Sequence, residues 1–505
     1  GESAVVVSWV SPRNKTAELA IEECEPSSSP GGAHMPLTGT LRHVRPDLDR
    51  YSHEPSDGLV PNASVVGMLY HSPLLLHASV NVTPFASYRY RIEQGDSTTE
   101  WRHFRAPPAA GAGRLRLAIV GDLGQTHHSR RTCEGLAGAH AANALDAGVL
   151  LGDLAYADGV PPRWDSFGRM FDEAGCADIP WLVLPGNHEI EPDALSGEPF
   201  LPYRKRWRTP QAMPEEVDAN YSVNDWGTYN ITGRYDFGGS FYGLRLGPVH
   251  FVVLNPYTDS ARGSKQEAWL RQELARVDRR ITPLLAVFTH APWNHTSLTH
   301  QPHQETATES LLAMAGPLLA EAGADVVFSG HVHAYERRGG ALGQAMQIVA
   351  GNGGNKEQLY NEWINGTSSA YRTGEYYGWG ELDVYKDAST WLMRRNTDSA
   401  IIDSLTRSHP PAPTTRGPPA LHGADELRQD GPGWGAYHGA VAVAVFSTSS
   451  LACMLVRRAR KTRQPNLEAA ALRGHPDLSP GVAEHVVGRA HPDDIDVQIV
   501  DRPSK

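Results

Sequence analysis

Six short apolar runs constrain this chain more than any other feature: LRLAIV (115–120), AGVLL (147–151), PWLVLP (180–185), HFVVL (250–254), LLAVF (284–288) and ADVVF (324–328). They read as strands buried on both faces. Helix-compatible stretches such as KQEAWLRQELARVDRR and ESLLAMAGPLLAEAG lie between several of them. Alternation of this kind indicates an α/β domain.

Polar residues gather where five of these runs end. LAIV leads into Gly121-Asp122-Leu123-Gly124, GVLL into Gly152-Asp153-Leu154-Ala155-Tyr156, and LVLP into Gly186-Asn187-His188-Glu189. LLAVF leads into Thr289-His290, and DVVF into Ser329-Gly330-His331-Val332-His333. Ligands of open α/β sheets collect outside the carboxyl ends of strands, so the five turns can converge on one site. One Gly-Asp turn or one histidine means little. Together, Asp, Asp/Tyr, Asn-His, His and His-x-His supply oxygen and imidazole ligands for two metal ions. Glu189 has no role assignable from sequence, and His127 and His128 read as solvent-facing loop residues.

At 505 residues, the chain has length for roughly two to four domains. Its first hundred or so residues carry short β-branched and aromatic runs, AVVVSWV (4–10), SVVGMLYHS (64–72) and YRYRIEQG (88–95), separated by turn-forming clusters. APPAAGAG (106–113) reads as an interdomain linker. The net charge of −11 argues against nucleic acid, whose phosphates are held mainly by Lys and Arg. A site for a phosphate ester must then supply its own positive charge. Cys24, Cys133, Cys176 and Cys453 match no zinc spacing; Cys133 and Cys176 read equally as a pair or as two buried thiols.

Beyond a Pro-rich spacer, SHPPAPTTRGPP (408–419), residues 436–456 carry no formal charge and are followed by RRARKTR. About 20 apolar residues suffice to cross a bilayer, and a basic flank suits its cytoplasmic side. The other reading is a buried helix or hydrophobic linker. N-x-S/T sequons fall at Asn14, Asn62, Asn81, Asn220, Asn230, Asn294 and Asn365, all before that run. This asymmetry favours a secretory, single-pass type I protein, at the plasma membrane or in an acidic endosomal or vacuolar compartment. The catalytic part would be luminal or extracellular. The opening GESAVVVSWV reads as a strand, so the sequence is taken as mature or truncated at its start.

The order GDxG, GDxxY, GNHE, a lone strand-end His and GHxH resembles the purple acid phosphatases, plant-type and high-molecular-weight, within the calcineurin-like metallophosphoesterases. SAVVVSWVSP, WRHFRAPP, AGNGGNKE, YYGWGELDVY and STWLMRRNTDSAIIDS extend the likeness over about residues 3–403. It implies a fibronectin-like β-sandwich (1–106) and a metallophosphoesterase α/β sandwich (114–404); the Pro-rich linker (405–434), one transmembrane helix (435–456) and a cytoplasmic tail (457–505) lie outside it and are read from the composition alone. It further implies that Asp122, Tyr156 and His333 hold Fe(III). Asn187, His290 and His331 would hold a divalent Zn, Mn or Fe, with Asp153 bridging. Asp122, Asp153 and a Tyr156 phenolate then set three negative charges against five, leaving about +2 to hold a phosphate monoester. The implied reaction is acid phosphatase hydrolysis by metal-bound hydroxide. His188 is implied to contact substrate. His300 is favoured over His295 and His303 as proton donor by its place in the loop, although plant-type members often have two adjacent histidines where this chain has Thr299-His300. A donor imidazolium fits a mildly acidic optimum. The competing functions are a phosphodiesterase or nucleotide pyrophosphatase, and a catalytically silent membrane-anchored binding module. Expected partners are small phosphate esters and a membrane, not nucleic acid; homo-oligomerisation stays open.

Overall fold

The apolar runs form the middle layers of a sandwich. In a computed structural model, the structure describes residues 3–11, 15–25, 38–53, 69–143, 145–194, 196–210, 216–224, 228–236, 239–339, 345–367, 369–409 and 440–441. One six-stranded sheet runs in the order Trp181–Val183, Ala147–Leu150, Arg114–Val120, Gly378–Tyr385, Ala388–Arg395, Ile401–Ser408. Its first three strands are parallel, and the rest form an antiparallel meander. The facing seven-stranded sheet has four parallel strands, Val249–Val253, Leu284–Phe288, Val326–Ser329 and Met346–Ala350. It is edged by Tyr242–Leu246 on one side and by Tyr335–Arg338 and Tyr371–Thr373 on the other.

Alternation along the strands explains why both faces are apolar. Phe251, Val253, Ala286, Phe288, Val326 and Phe328 join the core shared with the first sheet. Their neighbours Val252, Leu254, Leu285, Val287 and Val327 pack with Leu270 and Leu274 of helix Lys265–Leu274 and with Leu311, Met314 and Leu318 of helix Thr306–Glu321. Phe251, Phe288 and Phe328 stack in series with ring centroids 5.3 Å apart. Burying each contributes about 1.5–3 kcal/mol. Helices His127–Asn143 and Pro162–Glu173 belong to the first sheet's segment of the chain.

The N-terminal region is β-rich, as its composition suggests. Strands Ser3–Ser11, Leu74–Val82 and Asp47–Asp49 form one sheet; Arg102–Arg105, Ser87–Gln94, Glu18–Cys24 and Arg42–Val44 form the core of another. Val5, Val7, Trp9, Leu76 and Ala78 share an interior with Leu19, Ile21, Tyr90, Ile92 and Phe104. The stretch read as a linker is packed rather than loose, with Ala106, Pro107 and Pro108 buried and Gly111 N donating to Gly247 O at 2.7 Å.

The N-terminal region meets helices of the α/β sandwich through Arg206, which is 2% exposed. Its guanidinium donates to Tyr51 Oη (3.0 Å), Tyr70 Oη (2.9 Å) and Asp165 Oδ1 (2.8 Å), while Tyr70 Oη donates to Asp165 Oδ2 (2.9 Å). Arg206→Met should therefore destabilise the fold by about 2–3 kcal/mol. That is below the 3–5 of a fully buried broken pair, because water reaches Asp165 and relieves part of the loss. Denaturant titration of the metal-free protein reads this directly; an unchanged midpoint would remove the network from the interface energetics.

Three expectations change or go undescribed. His127 and His128 open a helix, where Thr126 Oγ1 accepts from His128 N and Ser129 N (3.0 and 3.3 Å) and His128 stacks on Tyr377. Cys133 and Cys176 are buried thiols, and burial together with Cys133 raises Cys176. No helix among the described residues is long and apolar enough to cross a membrane. The expected span at 435–456 lies outside them except for Ala440–Val441, which pair in parallel with Ala4 and Val5. Residues 1–449 form one compact unit; the second, 450–505, and the tail expected there lie outside the described residues.

Candidate metal centre

All seven expected ligands stand at the carboxyl ends of the parallel strands of the two sheets, and all are buried. The backbone is bent to bring them there. Asp122, Asp153, Tyr156 and His331 have φ between 48° and 66°, a region costly for residues with a Cβ and concentrated at functional sites. Gly186 is required for space, because a Cβ there would collide with Asp153 Oδ1.

Two groups result. In the first, Tyr156 Oη lies 3.2 Å from Asp122 Oδ1 and 3.0 Å from His333 Nε2. In the second, His290 Nε2 lies 3.0 Å from Asn187 Oδ1 and 3.2 Å from Asp153 Oδ2. The donor atoms of Asp153, His290 and His331 all fall within 4.8 Å of one another.

Backbone carbonyls assign the imidazole tautomers. His290 Nδ1 donates to Leu151 O at 2.6 Å and His333 Nδ1 to Gln358 O at 3.1 Å, so that in the neutral ring each Nε2 presents a lone pair to its group. Lone pairs of His290 Nε2, Asn187 Oδ1 and Asp153 Oδ2 then point together. Asp153 Oδ2 is buried and has no hydrogen-bond partner among the described residues. Such a convergence needs positive charge, met by a proton on His290 when no metal is bound, and two adjoining groups of O and N donors fit a pair of metal ions.

The electrostatics agree. Burial disfavours charge on His290, but Asp153 and Asp122 outweigh it and push the imidazole up to about 10. Burial likewise opposes ionisation of Asp153, yet His290 and His188 hold it well below the usual carboxylate range. Burial, then Asp122 and Asp153, raise Tyr156 well above an ordinary phenol, so a phenolate here requires a cation beside it.

Three acidic residues without a role in the sequence reading organise the site. Glu189 accepts from Asp153 N, Leu154 N and Gly186 N at 2.8–2.9 Å, fastening two ligand turns together. Burial beside Asp153 pushes its carboxyl up to about 8, a cost that bound cations would offset. Asp158 lies 2.5 Å from His188 Nδ1 and contacts Lys356. Its only sequence signal is its place two residues after Tyr156. Glu305 Oε1 accepts from His300 Nδ1 (2.8 Å) and His331 Nε2 (2.9 Å), which leaves the His331 lone pair on Nδ1.

The structure brings His188 and His300 to the centre. His188 packs 4.1 Å from the Tyr156 ring, with Nε2 3.8 Å from Asp153 Oδ2. His300, at φ 61°, lies 4.1 Å from the His331 ring. Of the other loop histidines, His295 is buried and contacts His300 O at 2.9 Å, while His303 is exposed. Glu305→Gln should weaken divalent-ion affinity and kcat by about 10–100-fold each, as loss of an outer-sphere partner of a metal-binding His does. Titration of the metal-free variant with zinc, beside steady-state kinetics, measures both; wild-type values would show Glu305 to be dispensable.

Residues 115–335 match the calcineurin-like phosphoesterase family and residues 345–404 the C-terminal family of iron/zinc purple acid phosphatase-like proteins. Purple acid phosphatase 18 of Arabidopsis thaliana is 30% identical over 432 residues, covering 80% of this chain and 89% of the relative. The chain belongs to the purple acid phosphatase family. Probable purple acid phosphatase 20 of the same plant is 33% identical over 331 residues, covering 63% of this chain and 70% of the relative. The purple acid phosphatase from yellow lupin (Lupinus luteus) seeds shares the fold, with a TM-score of 0.62 at 19% identity over 81% of this chain and 74% of its own. As a purple acid phosphatase, the chain is an acid phosphatase with a dinuclear metal centre.

Proposed function

We propose that this purple acid phosphatase hydrolyses small phosphate monoesters at an Fe(III)–M(II) pair, M being Zn, Mn or Fe. Asp122, Tyr156 and His333 would hold the ferric ion, Asn187, His290 and His331 the divalent one, and Asp153 both. The observation carrying this reading is the buried Asp153 Oδ2, 3.2 Å from His290 Nε2 and without a hydrogen bond among the described residues, where strand-end oxygen and imidazole ligands converge. When bound, the ions supply Lewis acidity at the phosphoryl oxygens and acidify water for in-line attack. A hard phenolate oxygen at Tyr156 suits a trivalent ion.

The chain itself supplies orientation and protons. Asp158 fixes the His188 ring through Nδ1, and burial's opposition to charge there is outweighed by Asp153 and Asp158, which raise the imidazole. His188 thereby holds an N–H donor for a substrate oxygen. His300, fixed through Nδ1 by Glu305, is assigned to protonate the leaving alkoxide.

The same proposal takes the N-terminal β-sandwich as fibronectin-like and the domain division as 1–106 and 114–404. It takes residues 435–456 as a membrane span, a reading that the strand pairing of Ala440–Val441 with Ala4 and Val5 opposes, with the phosphatase luminal or extracellular and 457–505 cytoplasmic. The uncharged run with its basic flank supports this, as does the exposure of every described sequon asparagine: Asn81, Asn220, Asn230, Asn294 and Asn365. Small phosphate esters are the proposed partners, without nucleic acid.

Metal analysis and a visible spectrum of the purified protein beside Tyr156→Phe test the centre, with kinetics on matched mono- and diesters. Iron plus a second metal, a visible band lost in the variant, and preference for the monoester are expected. Two zinc ions without colour would overturn the ferric assignment, and a diester preference would overturn the substrate class.

A further inference from the structure

Two of the exposed sequons meet beside the catalytic loop. Asn294 lies between the ligand His290 and His300, and Asn365 lies in the segment following Tyr360, whose ring stacks 4.5 Å from His333. The two stretches are joined. Ile364 N donates to Thr296 O at 2.7 Å, Leu298 N donates to Glu362 O at 3.0 Å, and Ser297 bridges Trp363. The hydroxyls that complete both sequons converge on one guanidinium: Arg372 Nη1 donates to Thr296 Oγ1 at 2.7 Å and lies 3.4 Å from Thr367 Oγ1. Asn294 and Asn365 themselves are exposed, while Thr296 is fully buried.

We propose that Asn294 and Asn365 both carry N-linked oligosaccharides, and that this pair of glycans screens the His300 side of the centre from macromolecular phosphate esters while leaving small ones access. The inference rests on the luminal reading above. The donor is a lipid-linked oligosaccharide pyrophosphate. The amide Nδ2 forms its bond to the anomeric carbon, the bond from that carbon to the pyrophosphate oxygen breaks, the lipid pyrophosphate leaves with the electron pair, and the amide loses one proton to base.

Burial of Thr296 dates the reaction. Its hydroxyl donates to Glu336 Oε1 at 2.8 Å, and its backbone N–H donates to Oε2 of the same carboxylate at 2.8 Å. The transferring enzyme reads the sequon's hydroxyl residue, so Asn294 must be modified before this loop folds. Once folded, the Glu336–Thr296–Arg372 brace holds the attachment point against the loop that carries His300. A glycan is bulky and hydrated and remains on the surface. Two of them on paired loops impede a phosphorylated protein surface far more than a free ester.

The test is site occupancy in the protein purified from its own cells, by peptide mass spectrometry with and without peptide N-glycosidase. Occupancy at both Asn294 and Asn365 is expected. Occupancy at Asn81, Asn220 or Asn230 with both rim sites bare would overturn this inference and leave the luminal reading standing; no occupied sequon would overturn both. The double variant Asn294→Gln/Asn365→Gln keeps the Thr296 brace and removes only the glycans. Its kcat/KM on phenyl phosphate should be unchanged, while that on phosphorylated casein rises on the order of tenfold. An unchanged ratio between the two substrates would overturn the screening role.

Discussion

Asp153→Asn is expected to abolish stoichiometric metal binding and to lower kcat/KM by at least about three orders of magnitude, since a Lewis-acid centre is worth several kcal/mol at about 1.4 kcal/mol per tenfold. The substitution preserves shape, so the loss reports charge and lone pairs. Oδ1 of Asp153 accepts from His188 N at 3.0 Å, a bond that an asparagine carbonyl can keep. The other terminal atom becomes an NH2 facing His290 Nε2, now 3.2 Å from Oδ2. A donor then faces a ring that has lost the carboxylate favouring its protonation, so His290 turns neutral and its Nε2 lone pair can accept from that NH2. At neutral pH the metal-free variant forgoes the pairing of Asp153 with the His290 imidazolium and should be less stable than the metal-free wild type, the gap closing as pH rises, and it also loses the stabilisation that bound metal confers.

The sign of its pH dependence follows. In the metal-free wild type, His290 rises from 6.5 to about 10 because Asp153 and Asp122 outweigh burial. A raised imidazole stabilises fully below its unfolded value, and that contribution is lost as pH rises through about 6.5 to 10. The variant should lose less stability across that window. Metal analysis, kinetics and denaturant titrations at pH 6 and pH 9 check all three statements. A variant retaining two metals and near-wild-type activity would sink the bridging role.

Much of this centre was legible because its ligands come from short segments with strong local signals. A buried strand ending in glycine and a polar residue is recognisable within a few positions, and five such turns pointed to one converging site, while the division into two groups came from the family resemblance. The acidic residues that hold the ligands in place carry no comparable signal. Glu305 is 15 positions from His290 and 26 from His331, and only packing of helix Thr306–Glu321 against the sheet brings its carboxylate onto His331. Asp158 follows Tyr156 closely, yet its pairing with His188 depends on two different strand-end turns coming together. The start of helix His127–Asn143 was hidden for another reason. Its cap is a reciprocal Thr126–Ser129 pair, with Thr126 N donating to Ser129 Oγ at 2.8 Å, and no first-turn carboxylate marks it. The linker expectation at 106–113 failed to anticipate packing because Ala and Pro residues, with few polar groups to satisfy, suit a buried crossing as well as a spacer.

Glu189→Gln should be nearly as damaging, through geometry rather than lost coordination. Ionised Glu189, the form above about pH 8 in the metal-free protein, offers acceptors only, and three backbone donors use them: Oε2 takes Asp153 N and Gly186 N, both at 2.8 Å, and Oε1 takes Leu154 N at 2.9 Å. A glutamine has one acceptor oxygen and a donating NH2. In either orientation at least one fully buried amide faces another donor, at about 1–3 kcal/mol for each unsatisfied group. With the repulsion included, the loss should reach about 3–5 kcal/mol, the range for breaking a buried charged network. The turns that move carry Asp153 and Asn187, so divalent-ion affinity should also fall by about 10–100-fold. Glu189→Ala, which adds no donor, separates the two contributions: it should lose stability while leaving the ligand turns less distorted than glutamine does. Denaturant midpoints of the metal-free proteins at pH 9, above the value near 8 to which burial pushes Glu189, and zinc titrations of all three decide the matter. If Glu189→Gln kept wild-type stability and affinity, the alignment of Asp153 and Asn187 would have to come from the strands alone.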